Sequence, residues 1–172
     1  MKLLRSEKGF SLLELLIVLG IISVIGSGMA VTTATIVKIT PQSNDHVIAL
    51  RQTQNAGYWI TRDVQTAQTI DINPAGGEFL KLTLTVVGSE DSIVTYHLED
   101  MAGGMKKLLR ISQGLPMLVA EYIYYDPAVS PDTSTKILDY QDYKLSFRMT
   151  AKSGDATVIK KYEAFQRVPV TQ

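Results

Sequence analysis

Apolar positions along the chain follow two regimes. Residues 10–31, FSLLELLIVLGIISVIGSGMAV, run for 22 positions with a single charged side chain, Glu14. At 1.5 Å per residue such a helix is about 33 Å long, enough to cross a bilayer core of ~30 Å. Past Pro41, Gln42-Ser43-Asn44-Asp45 supplies side chains that start a helix. Over residues 46–70, Ala49, Ala56, Ile60, Val64 and Ala67 recur at helical spacing, with Arg51, Gln52, Arg62, Asp63 and Gln65 largely on other faces. That pattern predicts an amphipathic helix with one face on a core. The two segments are expected to form one long helix, bent at Pro41 and ended by the turn Asn73-Pro74-Ala75-Gly76-Gly77.

Beyond residue 77 the period changes to two. Residues 79–86 (FLKLTLTV) alternate and are rich in strand formers. Residues 92–99 and 107–112 flank Gly103-Gly104 and read as a hairpin. Residues 117–125 are apolar with mixed strand and short-helix character, and 143–151 and 156–168 are strands joined through Ser153-Gly154-Asp155. The order predicts an α+β fold, one long helix packed on an antiparallel sheet.

Charge and composition then narrow the function. In 172 residues, 17 Lys and Arg balance 17 Asp and Glu, which argues against binding nucleic acid through bulk charge. The absence of Cys excludes thiol nucleophiles, disulfide scaffolds and zinc fingers. Lys2, Arg5 and Lys8 oppose only Glu7 ahead of the apolar run, predicting a cytoplasmic start and an exported remainder. Three readings of the segment compete. Gly28-Met29-Ala30 or Thr32-Thr33-Ala34 suits a secretory cleavage site; a plain anchor needs no cleavage; the third is more specialised and turns on Glu14. A carboxylate at that depth costs about 2.5–3.5 kcal/mol and is usually retained for function. Gly20, Gly26 and Gly28 either let the helix bend or unwind, or serve small-residue packing.

The string Lys8-Gly9-Phe10-Ser11-Leu12-Leu13-Glu14-Leu15-Leu16-Ile17-Val18-Leu19 resembles the class III signal of type IV pilins and type II secretion pseudopilins. The resemblance implies a pilin-like fold in three parts: a leader over 1–9, a transmembrane assembly helix over 10–42, and an exported α+β domain over 43–172. It implies cleavage by a prepilin peptidase after Gly9 and methylation of Phe10 as the new terminus. Glu14 is then the fifth mature residue, paired in the family with the terminal amine of a neighbouring subunit. Leu12, Leu13, Leu15, Leu16, Ile17 and Val18 would pack helix on helix. The implied partners are other pilin or pseudopilin subunits, the peptidase, a membrane assembly platform and inner-membrane lipid, with nucleic acid expected only for a DNA-uptake pilin. The implied location is the bacterial cytoplasmic membrane, crossed once, and an envelope filament after assembly. Shorter strings, Arg62-Asp63-Val64-Gln65-Thr66-Ala67, Ile93-Val94-Thr95-Tyr96-His97-Leu98, Leu109-Arg110 and Leu118-Val119-Ala120, resemble J-type minor pseudopilins and W-type minor pilins, a low-copy tip or priming branch. Val31 stands where many major pilins have Pro, and a C-terminal disulfide loop is excluded; both lean toward a minor subunit. A ligand-binding pilin and a tethered domain that joins no filament remain open as alternatives.

Catalytic chemistry is sparse. His46 and His97 are the only histidines, and no phosphate-binding, dinucleotide or zinc-protease motif occurs, so neither an enzyme nor a bound cofactor is expected. Asp126, Asp132, Asp139 and Asp142 are candidate oxygen ligands for calcium, in a spacing unlike an EF-hand; an acidic solvated loop is the reading the residues favour, since Asp and Pro are ordinary there. Tyr122, Tyr124, Tyr125, Tyr140 and Tyr143 flank that loop and suit either sheet packing or a protein interface.

Overall fold

The computed structural model describes residues 11–84, 92–126, 128 and 132–167. The chain divides into two compact units, Met1–Pro41 and Gln42–Gln172. Helix α1 (Leu12–Thr66) contributes to both and contains Pro41. It begins where the Ser11 carbonyl accepts the N–H groups of Glu14 and Leu15 at 3.0 and 3.1 Å. In the first unit every described side chain is exposed, whatever its polarity.

In the second unit α1 buries one stripe: Ala49, Thr53, Ala56, Gly57, Ile60, Asp63 and Val64. Steps of three and four keep these residues on one face. Most are small, so the helix backbone lies close to the sheet. Gly57 shows how close: a Cβ there would sit 2.3 Å from the Tyr162 ring, whose hydroxyl donates to the Thr53 carbonyl at 2.9 Å. The helix ends at Thr66, four residues earlier than the apolar spacing predicts, and Ala67–Asp71 is strand β1. Thr66, Thr69 and Ile70 favour strand, and β1 gains a ladder with β2 (Leu80–Leu84) that a longer helix would forfeit. Asp63, expected off the core face, is buried.

The sheet continues through β3 (Ser92–Asp100), β4 (Lys106–Ser112), β5 (Leu115–Ile123), β6 (Lys136–Gln141), β7 (Lys144–Ser153) and β8 (Ala156–Phe165). All pairings are antiparallel, in the order β1-β2-β3-β4-β5-β7-β6 with β8 also on β7. This is the helix-plus-antiparallel-sheet arrangement of a pilin-like α+β fold. Residues 85–86 and 168, assigned to strands from sequence, lie outside the described residues. The β3–β4 hairpin turns through Ala102–Gly104 as expected. Residues 117–125 hold no helix: β5 is a strand whose register against β4 slips twice, with Tyr122 at φ 58°. The bulge frees the Glu121 N–H, which Gln52 of α1 accepts at 2.9 Å. β6, hidden in sequence among acidic loop residues, half-buries Ile137 and Tyr140.

Two polar devices close the sheet. Where the partner of β7 changes from β5 to β6, residues 133–135 fill the gap. Thr135 donates its N–H to Tyr124 O at 2.9 Å, its hydroxyl accepts from Thr150 N at 2.9 Å, and Arg148 Nε donates to Ser134 O at 2.9 Å. Ser134, Thr135 and Thr150 are fully buried, so these bonds satisfy groups that would otherwise be costly. Gln166, just past β8, donates its carboxamide NH2 to the carbonyls of Ala67, at 3.0 Å, and Gln68, and accepts from Tyr140 Oη. It thereby ties the end of β8 to the start of β1. The core between helix and sheet is built from Ile60, Val64, Leu80, Leu82, Tyr96, Leu108, Leu145, Phe147 and Met149 among others. Gly57→Ala should destabilise the fold by about 1–3 kcal/mol, because the ring is pinned by its own hydrogen bond. Urea unfolding checks this, and the added change Tyr162→Leu is expected to restore part of the loss.

Candidate functional site

The first unit presents its chemistry on exposed side chains. Leu12, Leu13, Leu15, Leu16, Ile17 and Val18 are all exposed, from 43% for Val18 to 80% for Leu12. Exposure of so many large apolar side chains in sequence marks a surface for lipid or protein rather than water. Polar groups on the same segment are neutralised internally. Ser23, Ser27, Thr32, Thr33, Thr35 and Thr40 each turn the hydroxyl back onto a carbonyl three or four residues earlier, at 2.8–3.0 Å. Around Gly20, Gly26 and Gly28 an added Cβ would meet nothing within 4 Å, so among the described residues no neighbour requires those glycines. Glu14 stands in the first turn, where the helix dipole favours an acid. By length and composition α1 is long and apolar enough to cross a membrane, as a single spanning or signal-like segment. Gly9 and Phe10, the residues expected to flank the cut, lie outside the described residues.

Residues 4–30 match the prokaryotic N-terminal methylation motif. No curated protein matches the chain, and no solved structure does. The motif spans the start of the apolar helix, and the rest of the chain supplies the pilin-like helix-and-sheet architecture. Together they agree with pilins and pseudopilins broadly.

In the second unit the structure assembles a cluster that sequence reading did not single out as a site. Tyr96 on β3 and Arg110 on β4 are direct cross-strand partners, and both reach Asp63 near the end of α1. Tyr96 Oη donates to Asp63 Oδ2 at 2.7 Å. Arg110 donates from Nε to Oδ2 at 2.6 Å and from Nη2 to Oδ1 at 3.2 Å. The Asp63 side chain is 5% exposed and that of Arg110 16%, so this is a buried two-point pair. The Arg110 and Arg62 guanidiniums lie 5.5 and 5.1 Å from the Trp59 ring centre. Three of the short strings that resemble minor pilins, those holding Asp63, Tyr96 and Arg110, thus converge on one carboxylate. Their co-occurrence was the available signal; nothing in their spacing tells that they touch.

The calcium candidates do not come together. Among the described residues no three His, Cys, Asp or Glu side chains form a group able to hold a metal. The backbone N–H of Asp126 is held by Ser134 Oγ at 2.8 Å, while Asp132 and Asp139 are exposed. Asp142, with Tyr143, makes the two-residue β6–β7 turn at φ 51° and 61°, a left-handed pair that Asp tolerates better than most residues. Pro127 and residues 129–131 of that loop lie outside the described residues. The tyrosines disperse. Tyr125 meets Phe79 edge-on at 6.5 Å, Tyr124 lies under the Lys152 ammonium at 3.5 Å, and Tyr140 serves Gln166. His97 contacts the Thr95 hydroxyl at 3.1 Å, and His46 is exposed on α1.

Burial, and then the adjacent carboxylate, push the Tyr96 phenol far above its usual range. Burial also raises Tyr140 and Tyr162. The folded state therefore keeps protons that the unfolded chain releases above pH ~10. Stability from these groups is intact below that pH and falls above it, by up to about 1.4 kcal/mol per pH unit for the deeply buried Tyr96 and by less for the half-buried Tyr140 and Tyr162. Tyr96→Phe should make the decline shallower by about one proton, read from urea unfolding between pH ~9 and ~11. Asp63→Ala strands the Arg110 guanidinium and should cost about 3–5 kcal/mol. Removing Glu163 from its exposed contact with Lys144 at 3.5 Å should cost under ~1 kcal/mol.

Proposed function

We propose that this chain is a minor pilin or pseudopilin, a structural subunit of a type IV pilus or a type II secretion pseudopilus. It is made with the leader 1–9, cut by a prepilin peptidase between Gly9 and Phe10, and methylated at Phe10. The apolar helix then holds it in the cytoplasmic membrane until an assembly platform moves it into a filament. The observation that carries this reading is the coincidence of the methylation motif, residues 4–30, with a helical stretch, residues 12–39, whose large apolar side chains are all exposed among the described residues.

The physics of transfer follows from the same residues. A lone carboxylate in lipid is unfavourable by a few kcal/mol, and pairing Glu14 with the Phe10 amine of a neighbouring subunit relieves that cost. Leu12, Leu13, Leu15, Leu16, Ile17 and Val18 exchange lipid for neighbouring helices. The back-bonded hydroxyls need no partner in either surrounding.

Intact mass and N-terminal sequencing of membrane-extracted protein provide the test. The expected product begins at N-methyl-Phe10 and is lost when Gly9 is replaced by a bulky residue. A start after Ala30 or Ala34 would show ordinary secretion, and an uncut Met1 a simple tether; either result overturns the reading. Glu14→Leu should leave cleavage intact and reduce incorporation into filaments by roughly tenfold or more, the equivalent of at least ~1.4 kcal/mol.

A further inference from the structure

Strand β8 is a free edge that runs beside a groove. Gln166 donates its backbone N–H to Tyr143 O at 2.7 Å, so in the antiparallel register the even-numbered residues of β8 turn their backbone groups toward β7. Those of Thr157, Ile159, Lys161, Glu163 and Phe165 turn outward, and among the described residues no strand receives them. Tyr162 directs its side chain to α1, where the hydroxyl reaches the Thr53 carbonyl and the ring covers Gly57. Gln54, Tyr58, Thr61 and Gln65 share that flank of the helix, and with Arg62 and Tyr162 they line a groove of about 610 Å³. The opposite flank is already engaged, Gln52 with β5 and Asp63 with β4. A helix flank and an unpaired strand edge thus form two walls of one groove. Folded domains that accept an extended peptide as an added strand use this geometry.

We propose that this groove binds an extended, acidic segment of a different polypeptide, added antiparallel to β8. Charge selects the occupant. Of the residues lining the groove only Arg62 is charged; it is exposed, and among the described residues no carboxylate pairs with it. Lys160 and Lys161 add exposed cations on β8, against the single acid Glu163. Lysine in the middle of an edge turns away another such edge but welcomes a carboxylate opposite it. A second copy of the chain is a poor occupant. A two-fold contact between β8 strands would run the 42–66 stretches of the two helices in opposite directions, whereas subunits with the function proposed above enter one membrane the same way. The other edge strand, β1, has five residues, and its start is held by Gln166.

Spacing sets what the segment carries. Helix α1 and β8 run in the same direction, since Asp45 meets Ser153 and Ala67 meets Gln166. Arg62 lies five residues past Gly57, about 7.5 Å along the helix axis. Two residues of a strand cover about 6.8 Å. The added residue opposite Tyr162 therefore places its side chain over the groove near Tyr58, and the residue two positions earlier, opposite Ala164, comes level with Arg62. Between two tyrosine rings the first position suits an aromatic side chain. The second suits a carboxylate, which the guanidinium can take at two points. Residues on either side of the aromatic one turn their side chains to the outer face and their N–H groups to β8.

The test uses full-length protein in mild detergent and a fluorescein-labelled, C-terminally amidated peptide of the length of β8. The peptide alternates Thr and Val, with Phe at its centre, Glu two residues before it and Glu one residue after it. Anisotropy measures binding. Trp59, the only tryptophan, lies 5.1 Å from the Arg62 guanidinium, so a change in its emission locates the peptide. Arg62→Glu should weaken binding by roughly tenfold or more, and replacing the first Glu of the peptide by Lys should restore it in that variant. N-Methylation of the two residues flanking Phe should abolish binding, whereas N-methylation of Phe and of the first Glu should leave it intact. No saturable binding up to ~1 mM peptide, indifference to Arg62→Glu, failure of the charge swap to rescue, or equal effects of the two methylation patterns would each overturn the proposal. The N-terminal mass of the same sample reports leader cleavage separately, so this site and the proposed function fail independently.

Discussion

The Asp63 carboxylate has almost no solvent contact, and two sheet strands must arrive together to hold it. An unpaired carboxylate at that depth would oppose packing of the helix, whereas one met by Arg110 at two points and by the Tyr96 hydroxyl favours a single docking position. Apolar contacts such as Ile60 and Val64 against Leu80, Leu82 and Leu108 supply most of the burial, but burial alone tolerates sliding along a helix axis. The buried charge pair does not tolerate it. It fixes the height of α1 on the sheet, and with that height set, Gly57 falls under Tyr162 and Gln52 under the β5 bulge.

One helix meets two solvents. Before Pro41 its side chains are mostly apolar around the whole circumference, Glu14 and Lys38 being the charged exceptions, and its hydroxyls are folded inward, a composition at ease in lipid or among other helices. After Pro41 one stripe is buried against the sheet, and the other faces are largely polar, with Val47, Ile48 and Tyr58 exposed. The chain therefore presents the first stretch for association and keeps the second for its own fold. Under the function proposed above, a subunit that changes surroundings during assembly would need such a division, because its folded domain would have to stay folded as the apolar helix left the bilayer.

Much of this was legible in sequence, for identifiable reasons. The 22-residue apolar run with Glu14 and a basic flank can be read directly, since its meaning lies in composition and order. Alternation revealed β2, β3, β4, β7 and β8 because their inner residues are apolar and their outer ones polar. The helix end was misplaced because Ala67 and Ile70 continue the helical spacing, while the ladder with β2 that wins those residues depends on a distant segment. β6 was missed because its Asp139 and exposed Leu138 blur the period, and its pairing with β7 is what makes it a strand. Asp142, read from sequence as a candidate oxygen ligand, stands in the two-residue β6–β7 turn. The Asp63 cluster was present as separate strings, and only the fold shows that they share one oxygen pair.

The Gln166 carboxamide has a bearing on timing. It bonds Ala67, 99 residues earlier, and joins the last strand to the first. If the chain crosses the membrane from its N-terminal side onward, α1 and β1 emerge long before the residue that completes their edge. Strands β2 to β5 can pair as successive hairpins while synthesis proceeds, since their contacts are local. Closure has to wait for residue 166. Until then the nascent domain carries an open β1 margin, so the interval between delivery of β5 and of β8 is when a holding chaperone, or a neighbouring open edge, has its greatest influence on where the chain ends up.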